Sequence, residues 1–315
     1  MAAPESEQSS PPSIWPYVWL GVLAHLLIGA YPVFGKRAIA EVPKFSLVLL
    51  ASLAIMSAGF LVMRWREGLT WRKVWHVLRH ERILWLFALI IALRSVTNLL
   101  SISLTKAVWV QLIGILAPFP VALLGVWVFG QPTPRYTYRA LMISTIGAVL
   151  ILVEDWTHIG ANITRNDALG LTLALISMLA FAVYYQLIRR SHVRDVTSGL
   201  IMFQQGLAMA TSFAILTVAT GEDWSAWTSV STGGLLAALT VIFVTMVGGN
   251  LSQIIAVGSV TPALITSFMA LRLVSAMVLG WLILGEQLVS PSQWLGAALV
   301  VGTVTIYLWL QRTRH

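Results

Sequence analysis

Ten long apolar stretches constrain the fold more than any other feature of this sequence. A helix of about 20 residues is needed to cross the roughly 30 Å hydrocarbon core of a bilayer. Only 10% of the residues are charged, against about 25% in soluble domains. We therefore predict an all-α membrane protein with ten transmembrane helices. The predicted spans are Ile14–Phe34, Pro43–Met63, Ile83–Ser103, Ala107–Phe129, Tyr138–Val153, Ala168–Ile188, Thr197–Ala219, Thr232–Ala256, Pro262–Leu284 and Ser292–Leu310.

Basic residues concentrate in alternate loops, and this bias predicts the orientation of the chain. Lys and Arg accumulate in cytoplasmic loops. With the N-terminus in the cytoplasm, the inner loops hold Arg64, Arg66, Arg72, Lys73, Arg79, Arg82, Arg135, Arg139, Arg189, Arg190, Arg194, Arg312 and Arg314. The outer loops hold only Lys36, Arg37, Lys44, Lys106 and Arg165. We therefore expect both termini in the cytoplasm, and the net charge of +8 needs no nucleic-acid partner.

Several absences narrow the functional class. The chain has no cysteine, which excludes disulfides and thiolate metal sites and favours a bacterial origin. Residues 1–13 lack a basic segment before an apolar one, so we expect a disordered cytoplasmic tail rather than a signal peptide. No nucleotide-binding loop, metal-ligand cluster or catalytic His–acid spacing is found. The sequence predicts a multi-pass protein of a bacterial inner membrane that is not an enzyme and has no cofactor or metal.

A short amphipathic segment lies between the second and third predicted spans. Trp71, Val74, Trp75 and Leu78 recur at helical spacing and share one face, with basic residues mostly off that face. Such a basic, aromatic helix is typical of segments that lie in the membrane interface and bind anionic headgroups. We predict an interfacial helix here.

The two halves of the sequence resemble each other at an offset of 155 residues. Glycines align in three pairs: Gly125 with Gly280, Gly130 with Gly285, and Gly147 with Gly302. Five crossings in each half make the halves inverted, and inverted repeats give two equivalent gates around a midplane site. The predicted repeats are 14–155 and 168–311, joined by a linker at 156–167. This organisation predicts a transporter that works by alternating access, although similarity by chance between apolar helices is the alternative.

The segments that repeat also resemble a known family. They are Ala117-Pro118 with the apolar run to Gly130, and Val260 through Gly285-Glu286 and Trp294-Leu295-Gly296 to Gly302. These resemble the drug/metabolite transporter superfamily, specifically its EamA-type ten-helix carriers. The resemblance implies transport of small organic metabolites, with export of amino acids or related compounds as the leading expectation. The alternatives are a carrier or exchanger of sugar phosphates or nucleotide sugars, a non-transporting receptor, or a membrane enzyme.

Polar residues inside the spans are the candidates for substrate binding. Arg94 and Arg272 lie within spans, where a charge costs about 2.5–3.5 kcal/mol by insertion scales. Asn98 lies one turn from Arg94, and the repeat aligns Asn98 with Gln253 and Gln111 with Thr266. The family resemblance places the helix of Tyr184 beside the central cavity. The predicted substrate-binding residues are Arg94, Asn98, Gln111, Tyr184, Gln253, Thr266 and Arg272; helix–helix packing and snorkelling are the alternative roles.

One histidine and three prolines complete the set of candidates. His25 is the only histidine within a predicted span, so it is a candidate proton carrier, with a packing role as the alternative. No carboxylate lies deep in any span, which favours facilitated diffusion or exchange over proton coupling. Pro32, Pro118 and Pro120 interrupt helices and are predicted hinges.

Overall fold

All regular elements described by the structure, a computed structural model, are helical. The structure describes residues 13–105, 110, 113–152, 164–284 and 290–312. Within these residues, eight helices are long and apolar enough to cross a membrane. They are Trp15–Ile39, Lys44–Arg66, Arg82–Leu104, Arg165–Val193, Ser198–Thr220, Thr232–Ser259, Pro262–Ile283 and Pro291–Leu310. Two shorter apolar helices, Ile113–Trp127 and Thr137–Ile151, lie where the fourth and fifth spans are predicted.

Several spans are built from more than one regular helix, so the elements outnumber the crossings. The α-helices are α1 (Trp15–Gly29), α2 (Tyr31–Ile39), α3 (Lys44–Leu61), α4 (Trp71–His80), α5 (Arg82–Leu104), α6 (Pro118–Trp127), α7 (Thr137–Leu152), α8 (Arg165–Val193), α9 (Ser198–Thr220), α10 (Thr232–Leu239), α11 (Asn250–Ser259), α12 (Pro262–Thr266), α13 (Leu271–Leu279) and α14 (Pro291–Arg312). Wider, π-helical turns at Val62–Arg66, Thr240–Gly249 and Gly280–Leu284 continue α3, α10 and α13.

Two helix pairs in the protein cross at glycines. A β-carbon at Gly59 of α3 would meet the backbone of Phe203, and one at Gly206 of α9 would meet the backbone of Met56. Likewise Gly147 of α7 and Gly296 of α14 lie against each other's carbonyl oxygens. Small residues let helix backbones approach closely inside a membrane, where the hydrophobic effect does not drive association. The close pairs α3–α9 and α7–α14 follow from these glycines.

Glutamates at opposite ends of the α3–α9 pair cap the partner helix. The Glu222 carboxylate, just beyond α9, accepts hydrogen bonds from the backbone N–H of Phe45 (2.9 Å) and Ser46 (2.8 Å) in the first turn of α3. The Glu67 carboxylate, just beyond the Val62–Arg66 turns, accepts from the N–H of Gly199 (2.9 Å) in the first turn of α9. A carboxylate at a helix N-terminus satisfies free N–H groups and complements the helix dipole. The N-terminus of each helix is therefore capped by a glutamate that follows the other helix.

The amphipathic segment between the second and third spans forms α4. Val74 is buried, whereas Trp71 and Trp75 are 60% and 63% exposed. The Trp71 ring contacts Phe60 of α3 and Phe203 of α9 edge-on, with ring centroids 6.5 and 6.4 Å apart. These contacts hold α4 against the ends of α3 and α9, with two tryptophans left on its outer surface.

Candidate substrate-binding site

Arg272 lies near the middle of its span and is held by side chains from two other spans. Its Nε donates a hydrogen bond to His25 Nδ1 (2.9 Å), and its Nη2 donates to Gln253 Oε1 (3.0 Å). His25 Nε2 lies 2.8 Å from the carbonyl oxygen of Ile265. Because a carbonyl only accepts and an arginine only donates, His25 carries its proton on Nε2 and is neutral. The imidazole thus fixes the position of the guanidinium.

A break in the ninth span creates this arrangement. The backbone tightens between α12 and α13, where Leu271 and Arg272 donate to the carbonyls of Phe268 (2.9 Å) and Met269 (3.1 Å), three residues earlier. The break places the Ile265 carbonyl within reach of His25. Interrupted helices are tolerated at membrane depth where other groups satisfy the freed backbone or where they line a cavity. Arg272 follows directly after the break.

Arg94 of α5 faces the same centre against aromatic rings of α8. Its guanidinium carbon lies 4.6 Å from the centroid of Phe181 and 5.3 Å from that of Tyr184. The Arg272 guanidinium carbon lies 5.9 Å from the Phe181 centroid. The pair α5–α8 is fixed locally by Ser177, whose hydroxyl donates to the Arg94 carbonyl (3.1 Å). Two cations therefore share one aromatic ring, which attracts each of them through its electron-rich face.

The Arg94 side chain keeps its hydrogen-bonding groups free. Among the residues that the structure describes, no hydrogen bond or ion pair involves its guanidinium, which lies over two aromatic rings. The side chain is half-buried rather than fully enclosed. A guanidinium has five N–H donors, so Arg94 can bind an anionic or polar group that enters the centre.

A second set of amides extends from the aromatic rings. Tyr184 donates from its hydroxyl to Gln205 Oε1 (2.9 Å), and Gln205 Nε2 donates to Asn250 Oδ1 (3.0 Å). Asn250 Nδ2 donates in turn to the carbonyl of Met246 (2.6 Å), inside the π-helical turns. The buried Tyr185 hydroxyl lies beside Arg272 without a hydrogen bond of normal geometry. We call the residues around the two arginines the central cluster: His25, Arg94, Phe181, Tyr184, Tyr185, Gln253 and Arg272.

Within the described residues, no carboxylate lies beside the positive charge of the central cluster. The acidic residues in the described part of the chain all lie at helix ends: Glu41, Glu67, Glu81, Asp167, Asp195, Glu222 and Asp223. Several are engaged there: hydrogen bonds from the N–H and hydroxyl of Ser231 hold the pKa of Glu41 below its ordinary value. Both guanidinium carbons lie within 5.9 Å of the Phe181 centroid, so the two like charges repel each other. Among the described residues, no carboxylate offsets the charge of Arg94 and Arg272.

Accessibility differs between the two halves of the ninth span. Every residue from Pro262 to Phe268 is buried, whereas every residue from Arg272 to Leu279 is at least partly accessible. Asn98, one turn beyond Arg94 towards the same end, is exposed as well. The ninth span is therefore buried on its Pro262 side and partly accessible on its Leu279 side.

The predicted site residues have different positions in the structure. Arg94, Tyr184, Gln253 and Arg272 lie together in the central cluster. Asn98 makes no side-chain hydrogen bond to Gln253, and the Thr266 hydroxyl bonds to carbonyls of its own helix. Gln111 lies outside the described residues.

The predicted hinges lie at breaks. Pro118 begins α6 and Pro120 lies in its first turn, directly after a tightened turn at Leu116–Ala117. Pro32 lies in the first turn of α2, after the interruption at Ala30.

Sequence reasoning missed two contributors to the site: Phe181 and Gln205. The sequence offered a signal for Gln205, because Gln204-Gln205 is a pair of amides inside an apolar span. It offered none for Phe181, because aromatic residues are frequent throughout this chain.

Comparisons with known proteins agree with this architecture. Residues 168–309 match the EamA-like transporter family. A crystal structure of a protein shares the fold with a TM-score of 0.79 and 18% sequence identity, covering 96% of this chain and 100% of that chain. A comparison with curated proteins finds no match. The second half of the chain is thus similar to the EamA-like transporter family, and the same fold extends over nearly the whole chain.

Proposed function

We propose that this protein carries small organic metabolites across the membrane by alternating access, and that the central cluster binds an anionic group of the substrate. The observation that carries the proposal is the arginine pair near mid-span, without a carboxylate among the described residues. A charge at this depth is costly unless it has a partner or a water-filled cavity. A substrate carboxylate or phosphate is the partner that a guanidinium binds best. Amino acids and sugar phosphates both meet this requirement.

The proposed mechanism needs two inverted halves, and three structural features support them. The repeats are 14–155 and 168–311, with α6 and α7 belonging to the fourth and fifth of ten crossings. The caps Glu67 and Glu222 are 155 residues apart, which is the offset of the sequence repeat. The tightened turns match as well: Leu116 N–H to Ile113 O has its counterpart, 155 residues later, in Leu271 N–H to Phe268 O. Matched broken helices in two halves are typical of carriers with a midplane site.

The pairing of helices gives the third support. α3 packs on α9 and α7 on α14, and in each pair the partners occupy equivalent places in the two halves. In the first half, the third span (α5) packs on the sixth span (α8). Its equivalent in the second half, the eighth span (α10 and α11), packs on the first span (α1). Exchange of the two halves therefore reproduces the pattern of neighbours. A two-fold arrangement of this kind lets one half rock against the other around a fixed site.

We place both termini in the cytoplasm of a bacterial inner membrane. The contacts between helix ends form two layers, one at each end of the helix bundle. Glu67 with Gly199 and Glu81 with Arg194 lie in one layer; Glu222 with Phe45, Lys44 with Ser103, and Glu41 with Ser231 lie in the other. The basic residues cluster in the first layer, which favours the cytoplasmic side for this layer. α4 then lies in the inner interface, where its basic residues meet anionic headgroups. The accessible half of the ninth span then faces outwards.

His25 supports transport without proton coupling. A proton on Nδ1 would remove the acceptor for Arg272 Nε and put a positive charge beside the guanidinium. We therefore propose that His25 orients Arg272, and that the carrier works by facilitated diffusion or exchange. Export is the expected direction in the cell.

The test is substrate uptake into proteoliposomes by the purified protein and by Arg272→Gln. A hydrogen bond to a charged group contributes about 1.5–3 kcal/mol, so we expect uptake to fall at least about tenfold. The matched control is Arg79→Gln, the same change on the exposed surface of α4, which should transport normally. The panel contains amino acids and sugar phosphates. Unchanged transport by Arg272→Gln would show that the central cluster is not the binding site.

A further inference from the structure

The hydrogen-bonding groups of the central cluster select one charge class of substrate. Resting on the proposed function, we propose that the transported solute is an organic anion without an ammonium group. This class includes 2-oxo acids, other carboxylates and phosphate monoesters. It excludes zwitterionic amino acids, which the sequence alone favours.

An amino acid would bring its ammonium group within a few ångströms of its bound carboxylate. An ammonium has three donors and no acceptor, so it needs carboxylates, carbonyls or aromatic faces around it. No carboxylate of the described chain lies at this depth, because the acidic residues lie at helix ends. An ammonium held beside Arg94 and Arg272 would add a third positive charge to an uncompensated pair.

The aromatic faces are already used by the protein's own cations. The Arg94 guanidinium lies over Phe181 and Tyr184, and the Arg272 guanidinium approaches Phe181 as well. An aromatic cage for an ammonium needs electron-rich faces that are free. Here the same rings stabilise two arginines, so a further cation at these rings would compete with them.

The imidazole and amide acceptors around Arg272 and Tyr184 already receive a donor. Arg272 donates to His25 Nδ1 and to Gln253 Oε1. Tyr184 donates to Gln205 Oε1, and Gln205 donates to Asn250 Oδ1. An ammonium that entered the centre would share these amide oxygens with donors already bound to them, and at His25 Nδ1 it would displace Arg272 from the only lone pair.

What remains available is a set of donors. The Arg94 guanidinium makes no hydrogen bond in the described part of the chain, and Arg272 retains donors beyond those used by His25 and Gln253. The buried Tyr185 hydroxyl beside Arg272 has no partner of normal geometry. Donors of this kind match carboxylate, oxo and phosphate oxygens, which only accept. A 2-oxo acid places such oxygens on two adjacent carbons.

Matched pairs of solutes test the proposal. Uptake into proteoliposomes is compared for phenylpyruvate against phenylalanine, and for 2-oxoglutarate against glutamate, with glycerol 3-phosphate as the phosphate arm. Within a pair only the oxo and ammonium groups differ. We expect at least one anion to be taken up about tenfold faster than every amino acid in the panel. Uptake of an amino acid that equals or exceeds its oxo acid overturns this inference and leaves the proposed function standing. Failure of all five solutes, in uptake and in direct binding, overturns both.

A second variant tests the cause of the selectivity. Gln253→Glu supplies a carboxylate beside Arg272, so the preference for an anion over its amino acid should fall at least about tenfold. Gln253→Met removes the amide at similar size without adding charge, and it should change both rates while leaving their ratio within about twofold. Thermal unfolding in detergent checks that both variants are folded. An unchanged ratio in Gln253→Glu would contradict the charge argument.

Discussion

At the scale of single residues, His25 supports Arg272 with one ring nitrogen and the broken backbone at Ile265 with the other. His25→Leu should leave one guanidinium donor unpaired, at a cost of about 1–3 kcal/mol. We therefore expect the substrate affinity, measured as KM in proteoliposomes, to weaken by about tenfold. His25→Gln keeps a donor and an acceptor and should recover most of the affinity. A histidine that carried protons would give a different result: His25→Gln would abolish transport driven by a pH gradient.

The individual residues of the site differ in how far the sequence could predict them. Arg94, Gln253 and Arg272 stand out because a charge or amide in an apolar span must have a reason to be there. The role of His25 could not be predicted, since its partner carbonyl is 240 residues away and becomes available only at a helix break. Phe181 is one apolar aromatic among many, and only the packing of α5 on α8 brings Arg94 over its ring.

At the scale of helices, α3 and α9 cap each other's N-termini, through Glu222 and Glu67. Glu222→Gln keeps the side-chain shape but removes the charge that faces two N–H groups of α3. We expect the free energy of unfolding to fall by about 1 kcal/mol, as for the loss of a helix cap or dipole partner. Thermal unfolding in detergent would measure this loss, and Glu67→Gln at the opposite end should behave alike.

The control for this prediction is Glu81→Gln. Glu81 pairs with Arg194 at 3.1 Å, but both side chains are partly exposed. Surface ion pairs contribute about 0–1 kcal/mol, so this variant should unfold close to the wild type. If Glu81→Gln were as unstable as Glu222→Gln, the caps would have no special role.

The helix breaks show why elements were only partly predictable. Pro32 and Pro118 mark interruptions that the sequence could locate, because proline removes a donor and clashes with the preceding turn. The break between Thr266 and Leu271 contains no proline. Its tightened turns persist because His25, from another span, bonds to the Ile265 carbonyl. The eight long spans followed from apolar length alone, whereas this break depends on a tertiary contact.

At the scale of the whole molecule, the difference between the two halves of the ninth span predicts an outward-open resting state. The natural chain has no cysteine, so single-cysteine variants react without background. Ser275→Cys on α13 should react with a membrane-impermeant thiol reagent added outside, because Ser275 lies in the accessible half. Ser267→Cys, two turns earlier in the same span, is the matched control and should be protected, because Ser267 is 2% exposed.

Alternating access predicts that these reactivities depend on the transport cycle. Inverted halves that rock around the central cluster should open the Pro262 side when they close the other. With saturating substrate, Ser267→Cys should therefore gain reactivity in inside-out vesicles, while Ser275→Cys loses reactivity in right-side-out vesicles. To shift the two conformations from about 1:99 to 99:1, substrate must bind one of them about 5.5 kcal/mol more tightly than the other. A smaller difference in binding is sufficient for transport, so we expect reactivities to change severalfold rather than completely. Reactivities that never change in opposite directions would exclude two gates that open in turn, and the protein would then be a static membrane component despite its similarity to a transporter family.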